Sequence, residues 1–111
     1  MGFFSRLFNL FSKSGRDDEL LLKAVEHAKA GRPKQAIEIY DTLVKSRSSG
    51  DTLRARALFN RALAHSSLKN DVQAVADLKE LLTLPHVPDN VRNSANDQLK
   101  RVQKRSDKPA R

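Results

Sequence analysis

The chain has no cysteine and no tryptophan, and only one tyrosine and one methionine, among 111 residues. Without cysteine there is no disulfide, no thiolate metal site and no cysteine nucleophile. Nowhere does it approach the roughly 18 to 20 consecutive apolar residues that a membrane span requires. Valine and isoleucine are few, and the four prolines and four glycines fall at the edges of segments. The strand signal is therefore weak. What remains is rich in Ala, Leu, Lys and Arg, the residues that favour helix, so the expected fold class is all-α. The length suits one domain with a modest core.

The chemistry of an active site is also missing. His27, His65 and His86 are the only histidines. There is no Gly-rich phosphate loop, no His-Glu zinc motif and no nucleophile with a base at a telling spacing. The carboxylates are scattered over what would be solvated helix faces. No enzymatic activity, metal or cofactor is expected.

Charge is unevenly placed. The formal net charge is +8. Residues 1–16 carry Arg6, Lys13 and Arg16 and no acid, so +3. Residues 100–111 carry six basic residues against Asp107, so +5. The middle holds twelve of each sign and is neutral. A neutral body argues against a broad nucleic-acid surface. Basic ends suit an anionic membrane, nucleic acid or an acidic protein.

Residues 17–99 read as a run of short helices. "DDELLLKAVEHAKAG" has acids in its first turn and Gly31 at its end. "RPKQAIEIYDTLVKSR" opens with Pro33, favoured at a first helical position. "SRSSGD" is a loop, and "DTLRARALFNRALAHSSLK" follows with Asp51 as candidate N-cap. "NDVQAVADLKELLTL" ends before Pro85, and "DNVRNSANDQLKRVQ" carries a thin stripe of Val91, Ala95, Leu99 and Val102.

A shift of 38 residues superposes 20–43 on 58–81 with six identities in 24 positions: Leu20/Leu58, Ala24/Ala62, His27/His65, Gln35/Gln73, Ala36/Ala74 and Leu43/Leu81. Average residue usage gives about one or two. One helix-turn-helix unit is therefore present twice. It resembles the tetratricopeptide repeat, with Leu20, Ala24 and His27, then Leu58, Ala62 and His65, at the first-helix places. Ala36 with Tyr40, and Ala74 with Leu78, fill the second-helix places. The small residues let antiparallel helices approach, and the larger ones fill the gaps beside them. The family's Trp, Gly and Tyr are absent, Lys23 and Arg61 stand where it has a leucine, and its closing Pro occurs only as Pro85. The period is also about four residues longer than the usual 34.

The expected organisation follows: an amphipathic basic helix over 1–16, a tetratricopeptide-like domain over 17–104 and a disordered basic tail over 105–111. The domain would hold repeats at about 17–50 and 51–88 and a capping helix at 89–104, forming a short α-solenoid. Such arrays generally need about three units to stand alone, so another element could complete the core.

The resemblance implies that the first helix of each unit lines a groove for a peptide or helix. The groove residues would be Leu21, Leu22, Val25, Ala28 and Lys29 in the first unit. Arg56, Phe59, Asn60, Leu63 and Ser67 would follow in the second, with Asn93, Asp97, Lys100 and Arg101 from the cap. Leu21 and Val25 stand where the carboxylate-clamping subgroup needs polar residues, so an amphipathic helix suits the groove better. Against this, Leu21 and Leu63 could simply pack against neighbouring helices.

The opening "MGFFSRLFNLFSKSG" holds four of the five phenylalanines. On a helix, Leu10, Phe3, Leu7, Phe11, Phe4 and Phe8 cover one arc of about 160°. Ser12, Ser5, Asn9, Lys13 and Arg6 fill the opposite arc. Burying the six apolar chains is worth roughly 1.5–3 kcal/mol each before ordering costs. Three uses are open: a foot on an anionic membrane surface, docking into this chain's groove or a partner's, and a cleaved transit peptide. A secretory signal does not fit, because Arg6 and Asn9 interrupt the apolar run.

The sequence thus points to a non-enzymatic protein-interaction scaffold, cytoplasmic, with peripheral membrane association through its N-terminus. The alternatives are self-assembly through that same segment and nucleic-acid association through the basic tail. The lack of aromatics near that tail weighs against single-strand stacking.

Overall fold

A computed structural model of the protein describes residues 15–46 and 49–107. The expected amphipathic helix therefore lies outside the described residues up to position 14, as do tail residues 108–111. Within the described residues the chain is all-α, without a strand. Five helices follow one another: α1 Gly15–Lys29, α2 Pro33–Lys45, α3 Gly50–Ser67, α4 Asp71–Thr83 and α5 Asp89–Ser106. α1 starts at Gly15, two residues ahead of the sequence expectation, and holds Asp17 and Asp18 in the first turn, where the helix dipole favours acids. α5 extends to Ser106. Arg105 is thus helical rather than part of a tail, and pairs with Asp71 Oδ1 at 2.5 Å and Ser66 Oγ at 2.7 Å.

The 38-residue period is structural as well as sequential. It carries α2 onto α4 at both ends, Pro33 onto Asp71 and Lys45 onto Thr83. It also carries one turn onto the other. Arg32 N–H donates to the His27 carbonyl at 2.8 Å, and Asn70 N–H to the His65 carbonyl at 2.8 Å. Gly31 donates to Ala28, and Lys69 to Ser66. These paired bonds satisfy the last carbonyls of a helix and require a left-handed residue. Gly31 supplies it at φ +80, and Lys69 at φ +65.

Each helix packs on the next in the chain, and α1 touches α3 as α3 touches α5. This is the packing of stacked helical hairpins. Leu21, Ala24, Ala36, Tyr40, Leu43 and Ala57 form one buried cluster, joining α1, α2 and one face of α3. Ala55, Leu58, Ala62, Ala74, Leu78, Leu81, Ala95 and Val102 form the other, around α4. The fully buried alanines permit close helix approach, while Tyr40 and the leucines fill the space beside them.

α5 occupies the place of a third first helix. Arg54 donates to the carbonyls of Val44 and Ser46 at the end of α2, at 3.3 and 2.8 Å. Arg92, one period later, donates to Leu82 and Leu84 at the end of α4, at 3.4 and 3.2 Å. Ala95 packs on α4 as Ala57 packs on α2. The equivalents of Ala55, Leu58 and Ala62 are Asn93, Asn96 and Lys100, all exposed. That flank of α5 is polar, and the opposite end of the stack presents the exposed Glu19 and Glu26 of α1.

Candidate functional site

An open groove of about 540 Å³ lies where the C-terminal half of α1 and the turn after it face α3. Val25, Ala28 and Lys29 line it from α1. Gly31, Pro33 and Tyr40 line it from the turn and α2. Asn60, Leu63, Ala64 and Ser67 close it from α3. The two contributing first helices sit at matching repeat positions, since Val25 corresponds to Leu63 and Lys29 to Ser67. The walls are mainly apolar, with Lys29, Asn60 and Ser67 supplying polar atoms. The Asn60 amide is held by a bond to the Arg56 carbonyl at 2.9 Å.

Two lining side chains are unusual. Leu63 is 38% exposed, one of two large apolar residues so open among the described residues; the other is Val72 on α4, at 81%. Tyr40 is 1% exposed, and burial pushes its phenol up to about 12. Desolvation disfavours the charged phenolate, which is the cause of the shift.

The structure sorts the groove expectations by helix face. Val25, Ala28, Lys29, Asn60, Leu63 and Ser67 line the groove together. Leu22 is half-buried and lies one turn before Val25 on α1. Leu21 belongs to the first core cluster, and its repeat mate Phe59 packs against the second. Arg56 is exposed on α3. On α5, Asn93 and Lys100 are on the outer polar flank, and Asp97 is exposed at the position equivalent to Phe59. Arg101 is exposed at the position equivalent to Leu63. Neither it nor any other α5 residue joins the groove lining.

A second constellation escaped sequence reasoning. Arg61 donates from Nε and Nη2 to the two carboxylate oxygens of Asp77, at 2.9 and 2.7 Å. Its Nη1 reaches Asp41 at 2.8 Å. The bond to Asp77 raises the guanidinium's pKa further above its ordinary value. His65 Nε2 stands 4.0 Å from Asp77, and its Nδ1 is buried without a partner. In the first repeat Arg32 Nε donates to His27 Nδ1 at 3.0 Å, but Asn70 takes the place of Arg32 in the second. The available signal was a paired difference between copies: Lys23 becomes Arg61, and Ile39 becomes Asp77.

Among the described residues no group of three His, Asp or Glu is arranged to hold a metal ion. Nor is any helix among them long and apolar enough to cross a membrane. No protein-family model, curated protein or solved structure matches this chain.

Proposed function

We propose that this protein is a non-enzymatic interaction module of tetratricopeptide type whose groove seats the apolar face of an amphipathic helix or peptide. One observation carries the reading: the apolar groove between α1 and α3, with Leu63 left open at its edge. A concave apolar wall that leaves Leu63 open at its edge offers a partner contiguous apolar area to cover. A partner helix would set residues spaced three and four apart against Val25, Ala28 and Leu63. Lys29, Asn60 and Ser67 would bond its polar edge.

The test is a titration of the full chain with a fluorescent synthetic peptide, GFFSRLFNLFSKS, read by anisotropy. Binding should be weakened at least tenfold by Leu63→Glu and left unchanged by Val72→Glu. Equal binding by both variants, or none by the unaltered chain and by one with Phe4 and Phe8 changed to Ser, sinks the proposal.

A second reading concerns location. The apolar arc of residues 3–11, flanked by Arg6, Lys13 and Arg16 without an acid, has the make-up of a membrane-surface anchor. It would place a cytoplasmic scaffold at an anionic membrane. Co-sedimentation with phosphatidylserine vesicles should be lost with Phe4→Glu and Phe8→Glu, and retention in the pellet would refute the anchor.

A further inference from the structure

We infer, on the reading of the groove as a helix seat, that its partner is an acidic helix. One stripe of that helix is apolar and fills the groove, and a run of carboxylates beyond it meets Arg101, Lys104 and Arg105 on α5.

The three residues that α1 contributes to the groove are Val25, Ala28 and Lys29. One period on, α3 has Leu63, Ser66 and Ser67 in their places, and two periods on, α5 has Arg101, Lys104 and Arg105. α3 packs beside α1, and α5 beside α3. These positions therefore form one row across the inner faces of three successive first helices. Stacked hairpins present such rows as a continuous concave surface. Along this one the chemistry changes, from mainly apolar on α1, through Leu63 with two serines on α3, to three cations on α5.

The cations are open to a ligand. Arg101, Lys104 and Arg105 are all exposed. Neither Arg101 nor Lys104 has a hydrogen bond or ion pair among the described residues. Arg105 holds Asp71 and Ser66, and its side chain is still 52% exposed. The acids of this stretch fall off the row. Asp97 stands at the place of Leu21 and Phe59, and Asp107 follows the end of α5 at the place of Gly31. The last turn of a helix favours cations through its dipole, which suits Lys104 and Arg105. It does not account for Arg101, which lies more than a turn before Ser106.

An apolar seat continuous with a cationic row is complementary to a ligand that carries both features. A bare polyanion would leave the wall of Val25, Ala28 and Leu63 uncovered. A basic helix with the same apolar stripe would gain nothing from α5. Neighbouring packed helices lie about 10 Å apart. The carboxylates of the partner would therefore be offset from its apolar contacts by roughly seven residues.

The test is an anisotropy titration of the full chain at low salt with three fluorescent peptides. EEAAEEAAQLLAQLL joins the two features, KKAAKKAAQLLAQLL reverses the charge, and EEAAEEAAQQQAQQQ removes the leucines. The first should bind roughly tenfold more tightly than either of the others, the size expected when a few exposed ion pairs are made or reversed. Its margin over the lysine peptide should shrink as salt is added. Arg101→Glu with Lys104→Glu should abolish that margin. Lys45→Glu with Lys79→Glu, the same change of charge at exposed positions of α2 and α4, should keep it. A margin that survives the first double change, or that both double changes remove equally, would mean a diffuse field rather than a site and would overturn the inference. So would equal binding of the first and third peptides, which would make the row a polyanion site separate from the groove. Equal binding of the first and second, with both weakened by Leu63→Glu, would leave the groove standing and remove the acidic partner. No binding of any peptide would remove both.

Discussion

Arg61 and Asp77 meet fork to fork across α3 and α4, and Asp77 is the one buried acid among the described residues. A buried carboxylate without its cation is costly, whereas a paired one contributes little net stability. Removing one partner and removing both should therefore give very different results.

Arg61→Met should cost about 3–5 kcal/mol, because Asp77 is left uncompensated. Asp77→Leu alone should cost less, since Arg61 keeps Asp41 and partial access to water. The double change Arg61→Met with Asp77→Leu should recover most of the loss. Chemical denaturation of the four chains measures this, and additive losses would show that the pair is not coupled.

The two turns give an opposed pair. Lys69 adopts the left-handed conformation that glycine accepts without strain. Lys69→Gly should stabilise by about 0.5–1 kcal/mol, raising Tm by a few degrees in a domain of this size. Gly31→Ala should destabilise by about 1 kcal/mol. Space does not confound that comparison, since a Cβ at Gly31 meets nothing within 4 Å. Calorimetry of both variants decides the matter.

Arg54 and Arg92 each close the last carbonyls of the preceding helix. Loss of a hydrogen-bonding cation there should cost about 1–2 kcal/mol per site. Arg54→Ala should loosen the end of α2, and Arg92→Ala the end of α4. Amide hydrogen exchange would show increased opening at Leu43–Ser46 in one variant and at Leu81–Leu84 in the other. Uniform change along the chain would argue against local capping.

Tyr40 sets an alkaline limit. Its phenol ionises near pH 10 in the unfolded chain and is pushed up to about 12 in the folded one. The folded value is raised, so its stability contribution is complete below pH 10 and is lost as pH rises towards 12. The loss amounts to about 1–3 kcal/mol. With a single tyrosine and no tryptophan, tyrosinate absorbance reports this one group. A midpoint near 10 in the folded protein would refute its burial.

The hairpins were readable because their signals are local. Pro33 marks the start of α2, and Asp71 repeats it 38 residues on. Pairs such as Ala24/Ala62 and Ala36/Ala74 mark contacts that any close pair of helices needs. Helix rotation was harder to read. Leu20, Leu21 and Leu22 cover about 200° of a helix between them, so periodicity alone does not assign one to the core and another to the groove. On α5, Ala95 and Val102 pack on α4 and Arg92 reaches its end, turning Asn93 and Lys100 outward. The left-handed Lys69 carried no sequence signal, because lysine has no preference for that conformation. The bond between Arg61 and Asp77 spans sixteen residues, a spacing that has no meaning until the hairpin closes.

The polar flanks at both ends of the helix stack limit how copies of this chain can assemble. Head-to-tail growth would set Asn93, Asn96 and Lys100 of one copy against Glu19 and Glu26 of the next. Such a contact offers charge but no apolar area, and exposed ion pairs contribute little. Open heterologous filaments, which solenoids with sticky ends can form, are therefore disfavoured. Among the described residues the groove is the apolar surface that two copies could share, and a groove-to-groove contact would use the same patch on each and close as a dimer rather than grow as a fibre.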